Sequence, residues 1–255
     1  MTPHTDVPSS PSPAATIVVG ASGGIGQAIC EQLRATDAAG LIIRTSRTPL
    51  APEHGGTEPA VALDLTDPTS IDAAARQIGD ILTTRAASLQ RILICSGTLH
   101  GDDHQPERKL DALDPAAFAH VMAVNATGPL LVARALLPLM PRSTSGLIAA
   151  ISARVGSISD NRMGGWYSYR CSKAALNMGF RSLAHELQRT HPAVTTLLYH
   201  PGTVATALSA PFAGNPKHAR LTPADAAQHF ARVIETHAGR GGIAFVDWNN
   251  VPIAW

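Results

Sequence analysis

Short apolar runs alternate along this chain with stretches whose apolar residues recur every three or four positions. The runs lie at 16–19, 41–43, 60–63, 91–95, 146–151, 193–198 and 242–246. They are aliphatic or β-branched, of strand length, and lack the polar alternation of a half-exposed strand, so they predict strands buried on both faces. Helical spacing follows the first run through Ile29, Leu33 and Arg34. Asp67-Pro68 opens a second helical stretch running towards Leu89, with Asp67 as N-cap and Pro68 at the first helical position. Asp114-Pro115 opens a long one through Phe118, Val121, Met122, Leu130, Leu131 and Leu136. Another carries Tyr169, Ala174, Leu176, Phe180, Leu183 and Leu187, and Thr222-Pro223 opens the last, reaching about His237. Strands alternating with helices over short loops predict an α/β domain with a parallel seven-stranded sheet and helices on both faces. Ligands of such sheets sit at the carboxyl ends of the strands. Gly20, Ser46, Asp64, Gly97, Ser152 and Pro201 all fall at such ends. No internal repeat or second domain is visible; 15–255 reads as one domain behind a disordered Pro/Ser/Thr-rich tail over 1–14.

The first strand runs into Gly20-Ala-Ser-Gly-Gly-Ile-Gly26 and then a helix. Strand, glycine turn and helix is the context of a dinucleotide-binding fingerprint. Glycines let the backbone approach a pyrophosphate, and the helix start offers unpaired N–H groups to it. The spacing, Gly20-x-x-x-Gly24-x-Gly26, differs from the commoner GxGxxG, and a tight turn without a ligand is the plain alternative. The second strand leads into Arg44-Thr-Ser-Arg47, with no acid at its end for a ribose 2′-hydroxyl. Arg44 and Arg47 both offer a donor fork suited to a 2′-phosphate; a solvated loop charge is the ordinary alternative.

Tyr169 and Lys173 stand four apart on a predicted helix and so share one face. An ammonium beside a phenol favours the phenolate and lowers its pKa, which would suit general acid–base work. Alone, YxxxK is an ordinary helix surface; the glycine turn upstream gives it weight. Asn125 interrupts an apolar helix face and needs partners there, either as a bridge to backbone or around a catalytic water.

Composition narrows the function classes. With 45% hydrophobic and 15% charged residues and a net charge of +1, the chain suits a soluble globular domain and not an electrostatic nucleic-acid binder. Cys30, Cys95 and Cys171 are scattered and odd in number, so neither a disulfide framework nor a metal site is expected. They fit a reducing, cytoplasmic setting. The eleven histidines form no HExxH pattern. The N-terminal stretch lacks the basic start and apolar core of a signal peptide. The stretch 129–140 is too short and interrupted to span a bilayer, so no membrane partner is expected.

Taken together, Gly20-x-x-x-Gly24-Ile-Gly26, Asn125, Tyr169-x-x-x-Lys173 and Pro201-Gly202-x-Val204-x-Thr206 resemble the short-chain dehydrogenase/reductase family over nearly the whole chain after the tail. The stretch GGWYSYRCSKAALNM, the turn Leu99-His100-Gly101 and the ending Asp247-Trp-Asn-Asn-Val-Pro-Ile-Ala-Trp255 are most similar to its C-factor-like or sniffer-like carbonyl reductases. The resemblance implies a Rossmann-type doubly wound sheet and an NADP(H)-dependent reductase of aldehydes or ketones, forming a homodimer or tetramer. It implies Tyr169 as the acid that protonates the carbonyl oxygen, and Lys173 as the group that lowers its pKa and binds the nicotinamide ribose. Asn125 would hold a water in a proton relay. Gly20, Ser22, Gly23, Gly24, Ile25 and Gly26 would line the phosphates, and Asp64 and Leu65 would approach the adenine. Ser46 stands at the usual acidic position and Arg47 one beyond it, which implies the 2′-phosphate. Ser96, Gly97, Pro201, Gly202, Val204 and Thr206 would complete the cofactor site.

Three positions depart from the family pattern. Val19 replaces a threonine, and Ile94-Cys95-Ser96-Gly97 replaces Asn-Asn-Ala-Gly. The family's carbonyl-orienting serine falls on Ala153, so Ser152 is the expected substitute, with Ser157 and Ser159 as alternatives. The missing serine also leaves open a sensor or signalling protein that binds NADP(H) with little turnover.

Overall fold

The seven apolar runs pair side by side, all parallel, in the order β3-β2-β1-β4-β5-β6-β7. The strands are β1 (Ala14–Val19), β2 (Leu41–Ser46), β3 (Ala60–Ala62), β4 (Ser88–Ile94), β5 (Gly146–Ile151), β6 (Val194–His200) and β7 (Ile243–Asp247). The helices are α1 (Gly24–Thr36), α2 (Pro68–Thr84), α3 (Pro115–Met122), α4 (Gly128–Leu136), α5 (Tyr167–Thr190) and α6 (Pro223–His237). The structure is a computed structural model that describes residues 12–36, 40–48, 50, 58–212 and 220–255. The expected tail falls mostly outside these residues, and Ala14, assigned to it, already opens β1.

Alternation along each strand sends side chains to two cores. Ile17, Ile43, Ile92, Ile148 and Leu198 face α2, α4 and α5 through Ile78, Val132, Leu136, Leu176 and Phe180. Val18, Leu93, Leu147, Leu197 and Tyr199 face α1 and α6 through Ile29, Leu33, Phe230 and Val233. Tyr199 stacks on Phe230 with ring centroids 4.4 Å apart. Full burial on both faces is why the strands read as continuous apolar runs. The chain moves outward from β1 to β3, then crosses back to β4. The ends of β1 and β4 therefore flank the crevice where strand order reverses.

Helix starts follow the sequence closely. Asp67 caps α2 by accepting from the Thr69 N–H at 2.8 Å, and Asp114 caps α3 through the Ala117 N–H at 2.7 Å. Thr222 and Asp225 form a reciprocal capping box at α6. Two expectations are corrected. Helix α2 ends at Thr84, not near Leu89, because Ala86 takes a left-handed turn (φ 48°) and β4 begins at Ser88. Strand β2 continues past Ile43 through Arg44, Thr45 and Ser46, all buried.

The helical run Pro115–Leu139 is 25 residues long and holds an 18-residue window of mean hydropathy 1.5, long and apolar enough by length and composition to cross a membrane, contrary to the shorter span read from sequence. Here one face of it packs as a core helix: Val121, Asn125, Ala126, Val132, Ala133 and Leu136 are buried. The run is not uniform. Ala123–Thr127 widens into a π turn between α3 and α4, with Asn125 at its centre. Such widenings recur at functional sites.

Candidate active site

Gly20 leaves β1 at φ +82°, and its N–H and that of Ala21 donate to the Thr45 carbonyl at 3.0 and 2.9 Å. A Cβ on Gly26 would lie 2.2 Å from the Gly20 carbonyl oxygen, so the tight start of α1 requires glycine there. This turn leaves Ser22, Gly23 and Gly24 exposed at the start of a 13-residue helix with no acid in its first turn. Ile25 is half-buried behind them. The result is an anion-ready helix terminus.

The other expected cofactor residues converge on this turn. A Cβ on Gly20 would lie 2.3 Å from Ser96 Oγ, and one on Gly24 would lie 2.9 Å from Thr206 Cγ2. On Gly97 it would meet Asn125 Oδ1 at 3.3 Å and Lys173 Nζ at 3.5 Å. Pro201 is buried, Gly202 (φ +75°) lies against Trp248, and Val204 bridges to Leu221. Segments far apart in sequence thus meet at one sheet edge.

At the far side of the glycine turn, the two arginines separate. Arg44 is 3% exposed, with Nε 3.2 Å from Glu58 Oε2, in an ion-pair group that includes Arg34. It is a structural residue of β2, turned to Glu58 and away from the place expected for a phosphate ligand. Arg47 is exposed just beyond β2. The Ser46 hydroxyl donates to the Thr48 carbonyl. The Asp64 carboxylate accepts from the Thr66 N–H at 2.8 Å and the Thr66 hydroxyl at 2.7 Å. These bonds, the backbone one foremost, with Arg47 adding to them, hold it below the usual aspartate range. Leu65 is buried, its carbonyl 2.7 Å from where a Cβ on Gly128 would be.

Tyr169 and Lys173 lie on one face of α5. Lys173 is 2% exposed, and its Nζ donates to the Ile151 carbonyl at 2.9 Å and sits 5.8 Å from the Tyr169 ring centroid. Burial lowers the ammonium to about 8 and pushes the Tyr169 phenol up to about 12. The expected lowering of the phenol by its lysine neighbour is not what this environment gives: desolvation outweighs the ammonium. Tyr169 therefore holds its proton at neutral pH.

Asn125 is fully buried, and its amide is largely taken up. Oδ1 accepts from the Thr98 N–H at 2.8 Å, while Nδ2 donates to the Thr98 carbonyl at 2.8 Å and to Ser172 Oγ at 3.1 Å. Ser172 in turn donates to the Tyr169 carbonyl at 2.8 Å. The side chain is a strut between the segment after β4 and the first turn of α5. Both of its donor hydrogens are used, so a water could be held by this side chain only through the remaining lone pair on Oδ1.

Ser152 is 2% exposed, and its hydroxyl donates to Asn177 Oδ1 at 2.6 Å, two helical turns along from Tyr169. That hydroxyl ties β5 to α5, which corrects its expected place at the carbonyl. Ser157 Oγ accepts from the Asp160 N–H at 3.2 Å, and Ser159 Oγ donates to the Trp255 carbonyl at 2.6 Å. All three hydroxyls have structural partners.

Sequence reasoning missed the aromatic wall beside Tyr169. Trp166 meets the Tyr169 ring edge-on at 6.1 Å and the Phe212 ring at 5.2 Å, and Phe212 meets His100 at 5.7 Å. His100 Nε2 lies 3.1 Å from the Leu208 carbonyl. Of the segment 209–221, whose Pro211, Gly214 and Pro216 suggest a mobile lid by sequence, residues 213–219 lie outside the described residues; Ala210–Phe212 forms a short turn that reaches this wall. At the end of the chain, Trp248 supports Gly202, whereas Trp255 packs on Phe245 and Arg181. Thr98, Ser172 and Asn177 were also missed. Ser172, adjacent to Lys173 within YRCSK, was the one with a local signal.

The Ser152→Ala change should cost about 1 kcal/mol of stability through the lost hydrogen bond to Asn177. Turnover should stay within about threefold of the parent, read as steady-state NADPH oxidation. A loss of about 100-fold at unchanged folding would return Ser152 to the reacting carbonyl.

Comparison with known proteins agrees with this geometry. Residues 14–216 match the family model described as short chain dehydrogenase. The chain is 32% identical over 221 residues to 1-hydroxy-2-glutathionyl-2-methyl-3-butene dehydrogenase of Rhodococcus sp. (strain AD45), covering 86% of this chain and 89% of that one. It is 37% identical over 150 residues to the C-signal protein of Myxococcus xanthus, covering 57% of this chain and 83% of that one. Among solved structures it resembles NADPH-bound carbonyl reductase from chicken fatty liver, with a TM-score of 0.80 and 26% identity over 96% of this chain and all (100%) of that one. The glycine turn, the Tyr169–Lys173 face and the family match over 14–216 lead to one statement: this chain belongs to the short-chain dehydrogenase family.

Proposed function

We propose that this protein is an NADPH-dependent reductase that converts an aldehyde or ketone to an alcohol, with Tyr169 as the proton donor. The observation that carries this reading is the juxtaposition around Gly97. Lys173 Nζ, which shares a helix face with Tyr169, lies at the same strand end as Ser96, which touches the glycine turn. The residues present fit a dinucleotide. The turn is too tight for a Cβ at Gly20 or Gly26, and it leaves Ser22, Gly23 and Gly24 exposed at the start of α1, where a pyrophosphate can reach the helix N–H groups. Gly20, Ser22, Gly23, Gly24, Ile25 and Gly26 would hold the pyrophosphate. Ser46, Arg47, Asp64 and Leu65 would hold the adenosine end, and Arg47 would meet a 2′-phosphate. Ser96, Gly97, Tyr169, Lys173, Pro201, Gly202, Val204 and Thr206 would hold the nicotinamide end. NADPH bound there supplies a hydride to the carbonyl carbon.

The chain's own part is proton supply and orientation. Tyr169, neutral at physiological pH, gives its phenolic proton to the carbonyl oxygen as the C=O bond is reduced. The positive charge of Lys173 then stabilises the tyrosinate left behind until a proton returns from solvent. Asn125 and Ser172 keep the first turn of α5 in register with the segment after β4. Trp166, Phe212 and His100, packed edge to face, offer a largely apolar surface next to Tyr169, which favours a carbonyl borne on an apolar group. A homo-oligomer and a cytoplasmic setting complete the reading.

One observation favours a second reading, an NADP(H)-binding sensor with little turnover. Ala153 stands in place of a carbonyl-orienting serine, and the Ser152 hydroxyl is turned to Asn177.

NADPH oxidation against a panel of aldehydes, ketones and quinones separates the two readings. Turnover is expected, with NADPH preferred over NADH; tight NADPH binding without turnover of any panel member would favour the sensor. Arg47→Ala should weaken NADPH by about 10-fold or more and NADH by less than about twofold, the size expected for a charge-assisted phosphate contact. Equal weakening of both would remove Arg47 from the site.

The pH dependence has a defined sign. Lys173 loses its positive charge as pH rises through about 8, while Tyr169 stays protonated far above that. The value of kcat/KM for NADPH, which reports the free enzyme, should therefore fall as pH rises past about 8. A flat profile between about pH 6 and 10 would contradict a charged Lys173 in the reaction.

A further inference from the structure

We propose that Glu107 is a positioning residue for Tyr169, acting as the N-terminal cap of α5 from outside the helix. The inference rests on the reductase reading above and adds to it a residue 62 positions away in sequence from the proton donor.

Helix α5 is 24 residues long, and it begins only two residues before Tyr169. Its first N–H groups have no partner within the helix. Its own cap position cannot supply one: Trp166 occupies it and makes no side-chain cap bond. Trp166 is also left-handed (φ 53°, ψ 46°), directly after Gly164 (φ 63°) and Gly165 (φ 64°). A left-handed conformation costs a bulky residue about 1–3 kcal/mol and persists only where the surroundings impose it.

Glu107 is what imposes it. Its main-chain carbonyl accepts the Trp166 N–H. Its side chain, 5% exposed, accepts the Ser168 N–H on Oε2 at 3.1 Å and the Ser168 hydroxyl on Oε1. Gly165 lies against the same carbonyl, which a Cβ there would meet at 3.4 Å. One residue thus holds the chain immediately before and immediately after Tyr167, and the next residue is Tyr169. A buried carboxylate is costly without donors and opposite charge. Here the donors come from Ser168 and the favourable charge from the positive end of the helix. Glu107 and Tyr169 also line one small cavity with Ser168, Leu99 and His104.

The arrangement does more than stabilise a helix end. The left-handed turn held by Glu107 places the Trp166 ring against both Tyr169 and Phe212. Ser172 and Asn125 secure the main chain of Tyr169 from the other side. Glu107 therefore fixes where the phenol stands and where the neighbouring aromatic surface begins, without touching the reacting atoms.

The test uses the full chain with Glu107→Ala and the isosteric Glu107→Gln. In Glu107→Ala, kcat should fall about 10- to 100-fold, as expected for a misplaced proton donor, while KM for the carbonyl and the NADPH Kd stay within about threefold. Glu107→Gln should recover most of kcat, because its amide oxygen still accepts from Ser168. Amide hydrogen exchange adds a readout free of turnover. In Glu107→Ala, exchange should accelerate at Trp166 and Ser168, leaving Leu176 to Leu187 protected. A folded alanine variant with parental kcat overturns the proposal. So does a parallel loss of kcat and NADPH affinity with faster exchange along all of α5, which marks a purely structural residue. If the parent protein reduces no carbonyl, the reductase reading itself has failed. Unchanged exchange at Ser168 defeats the cap alone.

Discussion

The docking of α5 onto the end of β5 is the constraint on which the site depends. It is made by an ammonium buried to 2% exposure and donating to a strand-end carbonyl, Lys173 to Ile151 at 2.9 Å. One helical turn further, Asn177 receives the Ser152 hydroxyl. Burying a charge this deeply is unfavourable, and one carbonyl dipole offsets only part of the cost. Burial therefore lowers the Lys173 ammonium from its ordinary value. A lysine held for stability alone would be replaced at gain by an apolar residue. In the reductase reading proposed above, its position beside Tyr169 gives the cost a function.

The cofactor end is organised by close backbone approach instead of by charge. Ser96 fills the space beside Gly20, Thr206 the space beside Gly24, and the Gly20 carbonyl the space beside Gly26. The switch in strand order between β1 and β4 brings these segments together, while Asn125 binds the next one, at Thr98, to the start of α5. The two halves of the site are thus joined through hydrogen bonds that begin at an amide in a π turn.

Much of this was legible in the sequence because it depends on local rules. Alternating strand and helix periods predicted the parallel sheet, and Asp67, Asp114 and Thr222 marked helix starts that the structure bears out. What stayed hidden depends on distant partners. Arg44 resembled a phosphate ligand until Glu58 took it into the sheet, and Ser152 resembled a catalytic hydroxyl until Asn177 claimed it. The elevated phenol of Tyr169 follows from burial, which the i to i+4 spacing to Lys173 does not reveal. Glu107 had no motif to mark it, and Trp166 stood in the GGWYSYRCSKAALNM stretch with no role assigned to it. Their importance comes from a left-handed turn and a cap supplied across 61 positions of sequence.

The central claim, that Tyr169 supplies the proton in carbonyl reduction, is tested most directly by Tyr169→Phe. The change removes one hydroxyl and leaves the ring that packs on Trp166. NADPH affinity by equilibrium titration should stay within about threefold of the parent, while kcat for any carbonyl the parent reduces falls by about 100-fold or more. A phenylalanine variant that binds NADPH and turns over at the parental rate would contradict the account.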